Sequence, residues 1–202
     1  MIKRAFDLVL AGFGLVLLSP LLCAIALAVK LDSPGPVFYR QHRVGRHGVP
    51  FRIHKFRTMA HAERDAGPQL TVGADARITR VGAVLRRHKL DELAQLIDVL
   101  QGTMSLVGPR PEVPRYVALY PATLRDKVLS VRPGITDPAS IEFRDEAARL
   151  AQAADAEHEY VHHILPRKLA LAADYVDHAS VATDLAVMTR TLRALVVDRR
   201  RS

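Results

Sequence analysis

"AFDLVLAGFGLVLLSPLLCAIALAV" (residues 5–29) decides the fold, because it fixes where the chain can reside. Asp7 is its only charge, and Leu8–Val29 runs 22 residues without another. As one straight helix that run measures about 33 Å, enough to cross the hydrocarbon core of a bilayer. It is too long for the apolar part of a signal peptide, and Lys30–Leu31–Asp32 lacks the small residues of a cleavage site. Ser19–Pro20, near the middle, complicates a simple span. Proline removes one helical hydrogen bond and crowds the preceding turn, while the serine hydroxyl can satisfy the freed carbonyl in lipid. Lys3 and Arg4 precede the segment, and Lys30, Arg40, Arg43 and Arg46 follow it. Positive charge stays cytoplasmic, so both flanks favour one face. The residues admit two topologies over 1–31, a straight span and a re-entrant helix–break–helix hairpin.

Residues 32–202 read as the remaining, folded domain. "DSPGPV" (32–37) is a breaker-rich linker. "VFYRQHRVGRHGVPFRIHKFRTM" (37–59) predicts a small β-hairpin around "GRHG" (45–48), with Phe51, Ile53 and Lys55 on one face and Arg52 and His54 on the other. Residues 61–82 predict an irregular loop holding a short helix. In "RRHKLDELAQL" (86–96) a basic cluster leads into a helix. There Leu93, Leu96, Ile97 and Leu100 form the expected buried stripe and Gly102 the stop, with Asp91, Gln95 and Asp98 on the far side. "MSLVGPRPEVP" (104–114) is proline-locked and extended, and "VRPGITDP" (131–138) is turn-rich. From about Ile141 the pattern is helical. Val181, Leu185, Met188, Leu192 and Leu195 form a last apolar stripe that packs on the core or lies on a membrane surface. The fold class is α+β, predominantly helical, with amphipathic surface helices.

The net charge of +8 calls for an anionic partner. It is concentrated between Arg40 and Lys89, where 12 Lys/Arg face 3 Asp/Glu, so an anion site belongs to that third of the chain. Cys23 is the sole cysteine, which excludes an intrachain disulfide and a thiolate metal cluster. Aromatic content of 5%, no Trp and no reader motif argue against nucleic acid. Phosphate-loop, dinucleotide and serine-hydrolase motifs are absent.

Three constellations carry chemistry. Asp91 and Glu92 stand behind Arg86, Arg87, His88 and Lys89. Acids at a helix start commonly just complement the dipole. The alternative is a phosphate and metal site, in which one carboxylate binds Mg²⁺, the other attacks phosphorus, and cations surround the phosphate oxygens. In "GPRP" (108–111) two prolines preorganise the Arg110 fork for phosphate or carboxylate, or simply make a tight turn. "HEYVH" (158–162) matches a zinc-hydrolase pattern, with His158 and His162 as ligands and Glu159 as base. Its context is poor, because the charged, Ala-rich "AADAE" precedes it and Pro166 follows.

Taken together, "KRAFDLVLA" (3–11), Ser19–Pro20, "DSPGPVFYRQHRVG" (32–45), "PFRIHKFRTM" (50–59), "RITRVGAVLRRHKLDELAQL" (77–96), "GTMSLVGPRPE" (102–112) and "RPGIT" (132–136) resemble the bacterial sugar transferases, the monotopic phosphoglycosyl transferases. The likeness covers nearly the whole chain and is weakest after Ile141. It is closest to the compact catalytic unit, without the extra spanning helices some members carry. Ala94 stands where the family usually has Pro, and Thr103 where an acid is frequent. The resemblance implies the re-entrant hairpin and a monotopic place on the cytoplasmic face of the bacterial inner membrane. It also implies transfer of a sugar-1-phosphate from a UDP-sugar to polyprenyl (undecaprenyl) phosphate, the first membrane step of exopolysaccharide, O-antigen or glycoprotein glycan synthesis. Asp91 would be the nucleophile, forming a covalent phosphosugar–aspartyl intermediate with release of UMP, and Glu92 would hold Mg²⁺. Arg86 and Arg110, then Lys55, Arg57 and Arg132, would contact phosphate. Membrane lipid is an expected partner, nucleic acid is not, and a homodimer stays open. Two rivals remain at this stage, a zinc hydrolase built on "HEYVH" and a non-catalytic module binding anionic lipid.

Overall fold

The structure, a computed structural model, describes residues 2–60, 75 and 77–199, with side chains through residue 194. Most of the loop expected over 61–82 lies outside the described residues. The apolar stretch forms α1 (Ile2–Asp32), one helix that runs through Pro20. Ser19 Oγ donates to Val16 O at 2.8 Å. That carbonyl is the one Pro20, four residues on, leaves without an amide donor. The hydroxyl substitutes for the missing N–H, so the expected helix–break–helix is a single helical element.

Polar contacts fix both ends of α1 to the rest of the chain. At the start, Lys3 pairs with buried Asp184 and donates to Val107 O at 3.1 Å. Arg4 donates to Val99 O at 2.7 Å. Buried Asp7 accepts from Ser105 Oγ (2.8 Å) and Leu106 N (3.2 Å). The end is held by Arg57, which donates to Val29 O (2.8 Å), Ser33 O (2.6 Å) and Pro34 O, and by Asp32, which accepts from Val81 N at 3.1 Å. Between the ends, Ala11 joins one core with Leu96, Val99, Met104 and Val187, while Ile25 and Val29 join another with Phe56, Leu85 and Ala94. The opposite side leaves Val9, Phe13, Val16, Leu17 and Leu27 exposed.

The strands are short and paired. β1 (Phe38–Tyr39) lies antiparallel to β4 (Lys55–Phe56), with Phe38 opposite Phe56. β2 (His42–Val44) and β3 (Pro50–Arg52) form the expected hairpin, with Arg43 opposite Phe51. The expected two-face alternation fails at Ile53–His54, both buried, because the chain leaves β3 there and re-enters as β4. α2 (Arg80–Arg87) leads through a left-handed Lys89 (φ 54°) into a 3₁₀ run, Leu90–Gln95, and then α3 (Leu96–Gln101). Gly102 (φ 86°) ends α3 as expected. β5 (Ser105–Val107) pairs in parallel with β6 (Gly134–Thr136), separated in sequence by α4 (Pro114–Val117) and α5 (Ala122–Val128). Then follow α6 (Pro138–Glu142), α7 (Glu146–Gln152), α8 (Ala156–Glu159), a π-helical turn (Tyr160–Ile164), α9 (Leu165–Asp177) and α10 (Val181–Arg199). A third core, from Tyr116 and Tyr160 to Leu169, joins α4, α5 and α9. The expected α+β, mainly helical class holds.

Two expected stripes are corrected. In the run carrying Asp91 the buried residues include Asp91, Gln95 and Asp98, the side expected outward, while Leu100 is exposed. The 3₁₀ turn advances three residues per turn rather than 3.6, which shifts the phase, and the polar side finds partners inside. In α10, Asp184 and Val187 are buried while Leu185 and Leu192 are exposed, because the Lys3–Asp184 pair sets the inward face. The approach of α2 depends on Gly82, where an added Cβ would stand 2.1 Å from Thr58 O. Gly82→Ala is expected to destabilise the chain by about 1–3 kcal/mol, read as a lowered urea midpoint.

Candidate active site

The left-handed Lys89 reverses the chain between α2 and the 3₁₀ run, and Asp91 and Glu92 enter that run's first turn facing β4. From β4, Lys55 reaches both acids, with Nζ 3.1 Å from Asp91 Oδ2 and 3.0 Å from Glu92 Oε1. Asp91 is only 2% exposed. Arg110 closes the other side with its fork on Glu92, Nη2 donating to Oε1 at 2.5 Å and Nη1 to Oε2 at 3.2 Å. Its position is prepared locally. The Arg110 amide donates to Asp137 Oδ2 (3.3 Å), and Asp137 Oδ1 caps α6 through Ser140 N (2.7 Å), which ties the "GPRP" and "VRPGITDP" stretches together. Arg43 donates to Pro111 O at 3.0 Å, and Glu112 accepts from the Tyr160 hydroxyl at 2.7 Å.

Burial alone would raise the Glu92 carboxyl, but the Arg110 guanidinium and Lys55 ammonium outweigh it and hold it well below the usual carboxylate range. In return Glu92 raises Arg110. Arg86 stands close enough to feel the same acids. Burial lowers its pKa, and Asp91 is the strongest opposing charge. Arg86 stays protonated all the same; its Nε donates to Thr58 Oγ1 at 3.1 Å. Two adjacent carboxylates among three cations form a site suited to a phosphate ester, since the cations can transfer from carboxylate to phosphate oxygens.

The structure brings Asp91, Glu92, Lys55 and Arg110 together, with Arg86 beside them, and leaves the other two expected phosphate contacts elsewhere. Arg57, 1% exposed, is spent on the carbonyls that end α1. Arg132 Nε donates to Gly102 O at 2.8 Å, beyond α3 and roughly 20 Å along the helical run from Asp91. "HEYVH" does not converge on a metal. His158 and His162 stack with centroids 4.1 Å apart, but Glu159 pairs with Arg149 at 2.6 Å. No group of three His, Cys, Asp or Glu suited to a metal occurs among the described residues. The residue of that segment that matters here is Tyr160, beneath Glu112. Sequence reasoning also missed the His54–Asp98 pair, whose signal was an acid two helical turns after Asp91.

The sequence profile described as bacterial sugar transferase matches residues 1–198. A UDP-glucose:undecaprenyl-phosphate glucose-1-phosphate transferase of Escherichia coli K12 is 49% identical over 143 residues, 70% of this chain and 31% of that protein. A transferase of the same name from Caulobacter vibrioides is 37% identical over 96% of this chain and 69% of its own length. A UDP-N-acetylgalactosamine-undecaprenyl-phosphate N-acetylgalactosaminephosphotransferase of Aeromonas hydrophila is 36% identical over 96% and 44%. The chain thus spans between about a third and two thirds of these relatives. On the profile match and this breadth of likeness, the chain belongs to the bacterial sugar transferase family.

Proposed function

We propose that the chain transfers a sugar-1-phosphate from a UDP-sugar to a polyprenyl phosphate such as undecaprenyl phosphate, as the relatives' names state for them. The observation that carries this reading is a buried Asp91 lying with Glu92 under Lys55 and the Arg110 fork. An Asp91 oxygen attacks the β-phosphorus of the donor. The bond from that phosphorus to the bridging oxygen breaks, and UMP leaves with the electron pair. A phosphate oxygen of the lipid then attacks the aspartyl phosphosugar, returning the carboxylate and giving a polyprenyl diphosphate sugar. Splitting one transfer into two predicts ping-pong kinetics. Lys55 and Arg110 hold the phosphate oxygens as charge shifts toward the leaving group, and Arg86 adds positive charge beside Asp91.

Mg²⁺ fits the donors present. Glu92 and Asp91 offer hard oxygens, and Mg²⁺ is commonly held by one or two carboxylates plus substrate phosphates. Glu92 would hold it, and when bound it supplies charge that neutralises the diphosphate.

The chain is read as monotopic on the cytoplasmic face. Both ends of α1 bond to the same folded chain, through Lys3, Arg4 and Asp7 at one end and Arg57 and Asp32 at the other. That arrangement favours entry and exit by one face over a span, with Val9, Phe13, Val16 and Leu17 turned to lipid; a bend at Ser19–Pro20 would serve the same end. In a Cys23→Ser background, Ile2→Cys and Pro36→Cys are expected to escape an impermeant maleimide on spheroplasts and to react in inverted vesicles. Labelling of either from outside overturns the topology. The function itself is tested by UMP release from UDP-glucose and UDP-N-acetylgalactosamine with undecaprenyl phosphate present. No release from these or a wider panel of UDP-sugars would leave the lipid-binding reading.

A further inference from the structure

His54 is a buried histidine beside the site that the proposed chemistry does not use. Asp98 holds it twice: the His54 amide donates to Asp98 Oδ2 at 2.8 Å, and ring Nδ1 lies 2.7 Å from Oδ1. Asp98 is 1% exposed and His54 6%. Arg40 Nη1 stands 2.5 Å from the other ring nitrogen, Nε2, and Arg40 Nη2 donates to Arg52 O at 2.8 Å. An arginine only donates, so Nε2 accepts and the proton sits on Nδ1, facing Asp98. The Phe38 ring stands nearly perpendicular to the imidazole, with centroids 5.7 Å apart. His54 is therefore fixed at its amide, at both ring nitrogens and by an aromatic contact.

The next residue is Lys55. Its side chain must span from β4 to both Asp91 and Glu92, and a lysine stem has four rotatable bonds with which to miss. Asp98 lies seven residues after Asp91 on the same helical run, about two turns away. By gripping the residue before Lys55, it registers β4 against the run that carries both acids. We infer that Asp98, through His54 and Arg40, is the positioning device that holds the Lys55 ammonium across Asp91 and Glu92. The inference rests on the proposed transferase reading and extends it to residues that touch no substrate.

A merely structural pair and a positioning pair behave differently in a double-mutant cycle. Lys55→Met removes the ammonium, and Asp98→Asn keeps the shape of the clamp but turns one acceptor into a donor facing donors. With whichever of UDP-glucose and UDP-N-acetylgalactosamine is turned over, Asp98→Asn is expected to lower kcat about 10- to 100-fold with KM within about twofold. In the Lys55→Met background the same change should do little more, because what it positions is gone. Effects that multiply in the double variant, or a folded Asp98→Asn protein with unchanged kcat, overturn the inference. Should Asp98→Asn fail to fold, Arg40→Gln at the clamp's edge replaces it in the cycle. It is expected to show a smaller kcat loss, of about threefold, with the same non-additivity, and additivity there is equally fatal. Asp91→Asn, run alongside, separates the two levels. Full turnover by that variant removes Asp91 as the nucleophile, and with it the site reading on which this inference rests, whereas an inactive Asp91→Asn with an additive cycle removes only the positioning role.

Discussion

Asp91→Asn is expected to lower turnover by at least about 10⁴-fold, the order of loss that follows removal of a covalent nucleophile, while the chain stays folded. The amide preserves the volume of a side chain 2% exposed and can still accept from Lys55. What it loses is the anionic oxygen proposed to bond to phosphorus. Wild-type protein held with UDP-sugar alone should gain the mass of one sugar phosphate and release one equivalent of UMP; Asp91→Asn should do neither. Glu92→Gln makes a discriminating companion. Glu92 is bracketed by Lys55 and Arg110 and held ionised by them, so its loss should weaken phosphate and metal handling without erasing the site of attachment. An adduct that persists in Asp91→Asn, or normal catalysis without an adduct in the wild type, overturns the covalent route.

The contrast between Asp91 and its neighbours also marks what the sequence could tell. Paired acids behind a basic cluster, an arginine between prolines and an uncharged apolar run around Ser19–Pro20 are local signals, and each locates its element. Partnership is not local. Lys55, Arg57 and Arg132 are three cations equally open to a phosphate role, yet one bridges the acids, one terminates α1 and one reaches Gly102 O. Nothing in the immediate neighbours of Lys55 and Arg57 separates those two; the separation comes from the β3–β4 break, which places successive residues His54, Lys55, Phe56 and Arg57 toward different partners. The stripe of Leu93, Leu96, Ile97 and Leu100 misleads for a related reason. Periodicity assumes that apolar residues claim the inside, but here Asp91, Gln95 and Asp98 are buried because Lys55 and His54 come down upon the polar side. Polar burial needs partners supplied from far along the chain, and a departure of this kind from the expected pattern is where a site is found.

Arg110→Gln is expected to move two measurable quantities in opposite directions. The Arg110 fork engages both Glu92 oxygens, and Lys55 shares one of them. A diphosphate offers the fork an equivalent pair of anionic oxygens, so Arg110 can exchange carboxylate for phosphate as substrate enters. Losing a bidentate charged contact of about 1.5–3 kcal/mol lowers kcat/KM for the UDP-sugar by about ten- to a hundredfold. The same substitution uncovers Glu92 and removes a neighbouring positive charge, so a divalent cation alone should bind better. Mn²⁺, a paramagnetic stand-in for Mg²⁺, is expected to bind several-fold more tightly to Arg110→Gln than to the wild type without nucleotide. The pH response carries a third sign. A carboxyl held below its unfolded value of about 4.3 contributes stability that is present above that value and is lost as pH falls through the lower folded one. Without Arg110, burial, which raises Glu92, is opposed chiefly by Lys55. The window between folded and unfolded values then narrows, and urea midpoints should fall less between about pH 6 and 3 in Arg110→Gln than in the wild type. Weaker Mn²⁺ binding together with weaker substrate use would mean that Arg110 organises Glu92 rather than covering it, and the exchange of carboxylate for phosphate would have to be abandoned.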